Sequence, residues 1–311
     1  MTPFKPGLVH TPVTPFDRNH GIDYATYAKV LEFHLRNGAD ALALPMPEGE
    51  DLSLTDAEQR ELLAFAIREI RGRVPVIAHV SDAGTDIAVA RARHAESLGA
   101  AAIVSHPPYF WHPKPAMVVH HLIAIGSAVK LPFLVCNPPV ESAGTSLTTE
   151  TTLQLIEKLP NLVGVVDSGF DWVYMVEVIS NGRKLRPEFQ LMPGGEFMVS
   201  AGVVGGSGAF APLAGIAPRR VRELYDLCHR ERYVEARAAQ EDIGALDHAV
   251  RGAGESRLKD GLAGLKSVMR AMGRDCGQPR PPVRGLGEIE SGRLTAAVRA
   301  MDFLHAEPHG W

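Results

Sequence analysis

Carboxylates, imidazoles, hydroxyls and one thiol recur just after short apolar runs of this chain. In order they are Thr11 and Thr14, Glu48 and Glu50, His79 and Asp82, His106 and Tyr109, Cys136 and Asn137, Asp167 and Ser168, and Glu196. A carboxylate held against apolar surface keeps its proton longer than one in water, so it can serve as a general base or acid near neutrality. Glu48 has that reading, with Asp167 and the apolar wall raising its pKa; the plainer reading is a loop carboxylate turned to solvent. Glu48, Asp167 and His79 form the candidate catalytic set. The same donors could hold a divalent metal such as Zn²⁺, because mixed imidazole and carboxylate sets suit that ion. A metal is the one cofactor the residues suggest, but no HxH or HExxH spacing supports it, and a hydrogen-bonded structural histidine competes for His79. Cys136 reads either as a nucleophile with His79 or His106 as its base, or as a small buried residue. Thr11, Tyr109, Cys136, Asn137, Ser168 and Glu196 are the candidate substrate contacts. Ser207 joins them through Gly205-Gly206-Ser207-Gly208, a run able to form an anion nest. Lysine and arginine are absent from the set, which points to a neutral or cationic substrate, or to a metal as mediator.

Groups so far apart in sequence meet only if a repeated unit carries each to the same end of one sheet. Candidate strands are Leu8–Pro12, Ala41–Met46, Val74–Val80, Ala101–Ser105, Pro132–Cys136, Leu162–Asp167, Phe189–Pro193 and Gly205–Phe210. They lack clean alternation, as parallel strands covered on both faces do. Helical patterns fit Tyr24–Arg36, a helix opened by the Thr55 to Glu58 capping box, Thr85–Leu98, Pro115–Ser127, Thr148–Leu159, Asp171–Ser180 and Pro218–His229. Eight such units predict an α/β fold, a closed (β/α)₈ TIM barrel over residues 1–229, whose functional groups collect at the strand C-terminal ends. No GxGxxG follows the first strand, which argues against a dinucleotide-binding open sheet. Tyr233–Val250, Glu255–Met272 and Glu288–Leu304 predict a C-terminal three-helix extension over 230–311, with Gln278–Pro282 as a rigid connection.

The 311 residues are 45% hydrophobic and 22% charged, ordinary for a globular chain with a large core. A net charge of −4 gives no electrostatic case for nucleic acid. Three widely spaced cysteines form neither a disulfide framework nor a zinc knuckle and suit a reducing compartment. The proline-broken N-terminus has no signal-peptide core, and no apolar run nears the ~18 residues of a membrane span. The expectation is a cytoplasmic protein that touches neither membrane nor nucleic acid.

Several motifs then fall into one order: Val13-Thr-Pro-Phe16, Gly38-Ala-Asp40, Gly49-Glu50 with Leu54-Thr55, Pro108-Tyr109, Asn137-Pro-Pro139, Asn161-Leu-Val-Gly164 with Asp167-Ser168, and Arg280-Pro-Pro282. In that order the chain resembles the dihydrodipicolinate synthase/N-acetylneuraminate lyase family of aldolases over nearly its whole length. The resemblance implies a homotetrameric or dimeric barrel acting on a small molecule, with a lysine that forms a Schiff base with pyruvate or another 2-oxo acid. It also aligns Glu50 with a loop glutamate of structural character that accepts backbone N–H bonds beside the substrate site.

Where the family's chemistry sits, this chain differs. Its sixth strand reads Gly164-Val-Val166-Asp167-Ser168, so Val166 lines the pocket where the resemblance expects the lysine, and a valine has no amine. Cys136 replaces the proton-carrying tyrosine, Phe110 the second tyrosine of its pair, and Glu48 a hydroxyl that would hold the substrate carboxylate. The arginine expected after Asn137 is missing from Pro139-Val-Glu141-Ser-Ala-Gly144. Of the eight lysines only Lys114 lies in a loop that approaches the mouth. Three readings follow. The first is a divergent family member acting on a small carbonyl or hydroxy compound by acid–base or metal-assisted chemistry. The others are a pyruvate-dependent lyase with a displaced lysine, and a non-catalytic small-molecule-binding barrel.

Overall fold

A computed structural model describes residues 4–139, 144–252 and 261–311. Eight parallel strands lie in the order β7-β6-β5-β4-β3-β2-β1-β8. They are β1 (Leu8–His10), β2 (Ala41–Leu44), β3 (Val76–His79), β4 (Ala102–Ser105), β5 (Phe133–Asn137), β6 (Leu162–Asp167), β7 (Gln190–Pro193) and β8 (Ala209–Ala211). β1 pairs with both β2 and β8, so the sheet curls into a nearly closed barrel. At the seam Ser207 N donates to Leu191 O at 2.8 Å, linking the approach to β8 with β7. The eight-unit (β/α)₈ reading is correct.

Helices α1 (Tyr24–Arg36), α2 (Asp56–Ile70), α3 (Thr85–Ser97), α4 (Pro115–Ser127), α5 (Thr149–Lys158), α6 (Trp172–Leu185), α7 (Met198–Val203) and α8 (Pro218–His229) cover the outside. Thr55 and Glu58 close the capping box that starts α2, through Glu58 N to Thr55 Oγ1 at 3.2 Å and Thr55 N to Glu58 Oε2 at 2.9 Å. α9 (Tyr233–Arg251), α10 (Gly261–Ala271) and α11 (Glu288–Arg299) follow the barrel. The predicted helix Glu255–Met272 begins outside the described residues. Glu288–Leu304 divides into α11 and a short 3₁₀ turn, Asp302–Ala306.

The two-residue period of the strands sorts side chains into two cores. Val9, Ala41, Ala43, Ile77, Ala102, Val104, Leu134, Cys136, Val166, Met192 and Phe210 fill the barrel interior. Their neighbours, such as Leu8, Leu42, Leu44, Ala78, Ile103, Phe133, Val135 and Val165, face the helices. That sorting decides which polar residues can meet at the mouth. His79 shares the inward face with Ile77, and Thr11 shares it with Val9. Asp167 and Asn137 share the outward face with Val165 and Val135.

Candidate active site

The β2–α2 connection builds the floor of the mouth. Thr14 Oγ1 donates to Gly49 O at 2.6 Å, and a Cβ on Gly49 would lie 3.2 Å from Pro12 O, so the loop is seated directly on the end of β1. Glu50 takes the left-handed conformation, φ 60°. Its carboxylate turns to the C-terminal extension, accepting from Lys266 Nζ at 2.5 Å and from Arg280 N at 2.7 Å. Both Glu50 and Lys266 side chains are 1% exposed. Glu50 thus fixes the loop rather than lining the cavity. Arg280 completes the clamp by bonding both Glu58 oxygens, at 2.9 and 2.6 Å.

With the loop held, Glu48 and Asp51 both face the inner polar cluster. Burial raises the Glu48 carboxyl, opposed by the nearby Thr11 hydroxyl and the Arg251 guanidinium. Asp51 is pushed up to about 7, by burial and by the charge of Glu48, with Arg91 opposing. Asp51, rather than Asp167, is the carboxyl on which the charge of Glu48 acts. Asp167 sits on the outward face of β6, where Oδ1 accepts from Asn137 Nδ2 at 2.7 Å and from Gly169 N at 3.4 Å, and Oδ2 from Phe170 N at 3.3 Å. Burial raises it to about 6, yet Glu48 is not among the groups acting on it. Asn137 is spent on the same framework, its Oδ1 accepting from Leu147 N at 2.6 Å. Ser168 donates to Gly194 O at 3.3 Å.

His79 has polar neighbours at both nitrogens. Nε2 lies 2.6 Å from Ser81 Oγ and 3.0 Å from His106 Nδ1; Nδ1 lies 3.6 Å from Asp51 Oδ2. Burial and the neighbouring His106 and Arg91 keep the ring neutral well below its ordinary range. Among the described residues no three His, Cys, Asp or Glu side chains are arranged to hold a metal ion. Cys136 lines the interior beside Val166, its register partner, which is in turn paired with Met192. Burial, with Glu48 and Asp51 nearby, drives the thiol upward, against a thiolate nucleophile. Tyr109 is half-buried and raised to about 12 by burial and by Asp82 and Asp51.

The strand-end reading found no positive group, but the fold supplies one from far along the chain. Arg251, at the end of α9, donates through Nε to Asp247 Oδ1 at 2.6 Å and lies near both Glu48 and Glu196. Glu196 is buried, accepts from Leu213 N, and is raised to about 8 by burial and by Asp247. Ser207 precedes β8, so in a parallel barrel it lies at the opposite end from the mouth. The structure thus gathers Thr11, Glu48, Asp51, His79, Tyr109, Cys136 and Val166 around the mouth, with Glu196 beside Arg251 on its rim. Asp167, Asn137 and Ser168 form its outer framework. Asp51 was within reach of sequence reasoning, being next to Glu50, while Arg251 carried no local signal.

Such a barrel, with a polar mouth over an apolar interior, has the architecture in which ligand sites lie at the strand C-terminal ends. The chain matches the Dihydrodipicolinate synthetase family over residues 5–301 and belongs to that family. It is 28% identical over 288 residues to a 4-hydroxy-tetrahydrodipicolinate synthase of Roseobacter denitrificans, covering 92% of this chain and 95% of the relative. A DapA-like lyase of Halobacterium salinarum is 30% identical over 301 residues, 96% of this chain and 94% of the relative. In fold it superposes on a dihydrodipicolinate synthase of Thermotoga maritima with a TM-score of 0.88 at 21% identity, covering 96% and 99% of the two chains. Among the described residues no helix is long and apolar enough to cross a membrane.

Proposed function

We propose that this family member acts on a small carbonyl or hydroxy compound by acid–base chemistry, without a lysine Schiff base. The observation that carries the reading is the half-buried Glu48 with the buried Asp51 beside an apolar row, Cys136, Val166 and Met192, where the resemblance places an amine at Val166. Burial and the charge of Glu48 raise Asp51 to about 7, so near neutrality Asp51 can serve as the acid and Glu48 as the base. Glu48, which Arg251 favours as the anion, removes a proton from the carbon next to a carbonyl. The C–H electrons form a C=C bond as the carbonyl π pair moves to oxygen, and Asp51 protonates that oxygen. With Asp51 and Glu196 largely protonated near neutrality, the Glu48 charge is balanced by Arg251, which favours a neutral substrate. The lysines fit this reading. Lys5, Lys29, Lys114, Lys130, Lys158 and Lys184 are exposed, Lys266 is committed to Glu50, and Lys259 lies outside the described residues.

The second reading, a pyruvate-dependent lyase with a displaced lysine, is favoured by relatives that bear the name 4-hydroxy-tetrahydrodipicolinate synthase. Neither reading needs a metal. Both carry a homotetramer or homodimer in the cytoplasm, and light scattering that gives a monomer at micromolar concentration would count against the assembly. The chemistry is tested by proton exchange on hydroxyacetone in D₂O, followed by proton NMR. The protein should accelerate exchange, and Glu48→Gln should lose about 10²-fold. Exchange that is indifferent to Glu48→Gln removes the acid–base reading.

A further inference from the structure

The Glu48 and Asp51 pair has a problem of supply. An acid buried beneath a substrate must be reprotonated without opening the site to water. Asp51 is in contact with a chain of groups that reaches the half-buried rim. His79 Nδ1 is 3.6 Å from Asp51 Oδ2, and His79 Nε2 is 3.0 Å from His106 Nδ1. Ser81 braces the junction: its Oγ lies 2.6 Å from His79 Nε2 and 3.3 Å from His106 Nδ1, and accepts from His106 N at 2.7 Å. The two rings meet edge to face, with centroids 5.2 Å apart and planes at 83°. His79 is 4% exposed, and His106 is the half-buried member of the pair.

We propose that His106, His79 and Asp51 form a proton relay from the rim of the mouth to its buried acid. This rests on the acid–base reading of the site and deepens it. The relay requires His79 to carry its proton on Nδ1, the nitrogen that faces Asp51 Oδ2, leaving Nε2 to accept. A proton taken up at His106 Nε2 releases the one on His106 Nδ1 to His79 Nε2. His79 then gives its Nδ1 proton to Asp51 Oδ2. Each ring gains one N–H bond and loses one, so neither stores charge, which suits two imidazoles that burial keeps neutral. The last gap exceeds a hydrogen bond, and the Asp51–Ser53 turn must close it by about 0.5 Å. The surrounding charges are Glu48 on the same loop, Arg91 from α3, Asp82 bound to Arg91 at 3.1 Å, Tyr109 after β4, and the Cys136 thiol on β5. Arg91 Nη1 donates to Ser81 O at 2.5 Å and so pins the junction from outside.

The test uses the full chain with ¹⁵N-labelled histidine. A relay requires a through-hydrogen-bond N–N coupling between His79 Nε2 and His106 Nδ1. It also requires both rings to report the ionisation of Asp51 as a common step in their shifts, which Asp51→Asn removes. Absence of the coupling, or His106 resonances unmoved by Asp51→Asn, overturns the relay. In the hydroxyacetone assay His106→Gln should slow exchange about tenfold at unchanged KM, with added imidazole restoring the rate. A His106→Gln variant as fast as the parent also overturns it. Failure of the parent to exchange would strike the acid–base reading alone, because the NMR measurement decides the relay without a substrate. Circular dichroism on each variant separates loss of the relay from loss of the fold.

Discussion

Removing the Lys266 ammonium should be among the costliest single changes in this protein. Lys266 and Glu50 are both 1% exposed and 2.5 Å apart, and the ammonium also lies 4.6 Å from the centre of the Phe16 ring. Lys266→Met keeps the length and apolar stem but strands the Glu50 carboxylate, which among the described residues keeps the Arg280 N–H at 2.7 Å. Breaking one side of a buried pair costs about 3–5 kcal/mol, and the lost ring contact adds about 0.5–2 kcal/mol. Glu50→Gln strands the lysine instead and should also cost about 3 kcal/mol or more. Changing both residues removes the stranded charge, so the double variant should be more stable than the sum of the singles implies, by about 2–3 kcal/mol. Urea unfolding of the four proteins, with slopes checked for equality, measures this cycle. Additivity within about 0.5 kcal/mol would refute the pair as a buried, mutually dependent unit. The consequence extends to the site, because this pair fixes the loop that presents Glu48 and Asp51.

Other expectations follow from the same packing and charges. Glu196 is raised to about 8, so the folded state pays to ionise it as pH climbs from the unfolded carboxyl's ordinary range to that value. Glu196→Gln should therefore gain stability over the parent between pH 5 and pH 9, by up to several kcal/mol; a pH-independent difference in urea midpoints contradicts this. Gly264→Ala would set a Cβ 2.0 Å from Val250 O where α10 crosses α9, costing about 2 kcal/mol or more in thermal unfolding; an unchanged Tm contradicts the crossing. Arg251→Gln withdraws the charge that favours ionised Glu48, so the lower inflection of the exchange profile should move to higher pH. An inflection that stays in place would put Arg251 outside the site.

The barrel was legible because eight apolar runs and their amphipathic partners obey the spacing a parallel crossover demands. Edges were harder. The second strand stops at Leu44 rather than Met46 because Pro45 has no N–H to give its neighbour. The fifth runs one residue past Cys136 because Asn137 continues the register against Asp167. α7 escaped notice, since Met198–Val203 is too short to show a helical period. In the site, residue type was informative and direction was not. Glu48 and His79 face inward as their strand-end positions suggested, but Asp167 lies one residue off the inward face and serves the framework. Arg251 is invisible to any local pattern, because a charge on an amphipathic helix looks like solvent-facing surface until the extension docks. Lys266 misleads in the same way, its burial arising from a partner 216 positions away.

Whether a lysine of this chain ever bonds to a 2-oxo acid decides which chemistry the barrel performs. Incubating the full chain with pyruvate and borohydride, then weighing the intact protein, asks that directly. Val166 offers no amine on β6, the exposed lysines lack the desolvation that would free their amines, and the buried one is paired with Glu50. The predicted spectrum is that of the untreated protein. A mass gain of one reduced pyruvate, mapped by peptide analysis to any lysine, would contradict the account and make the Schiff-base lyase the correct reading.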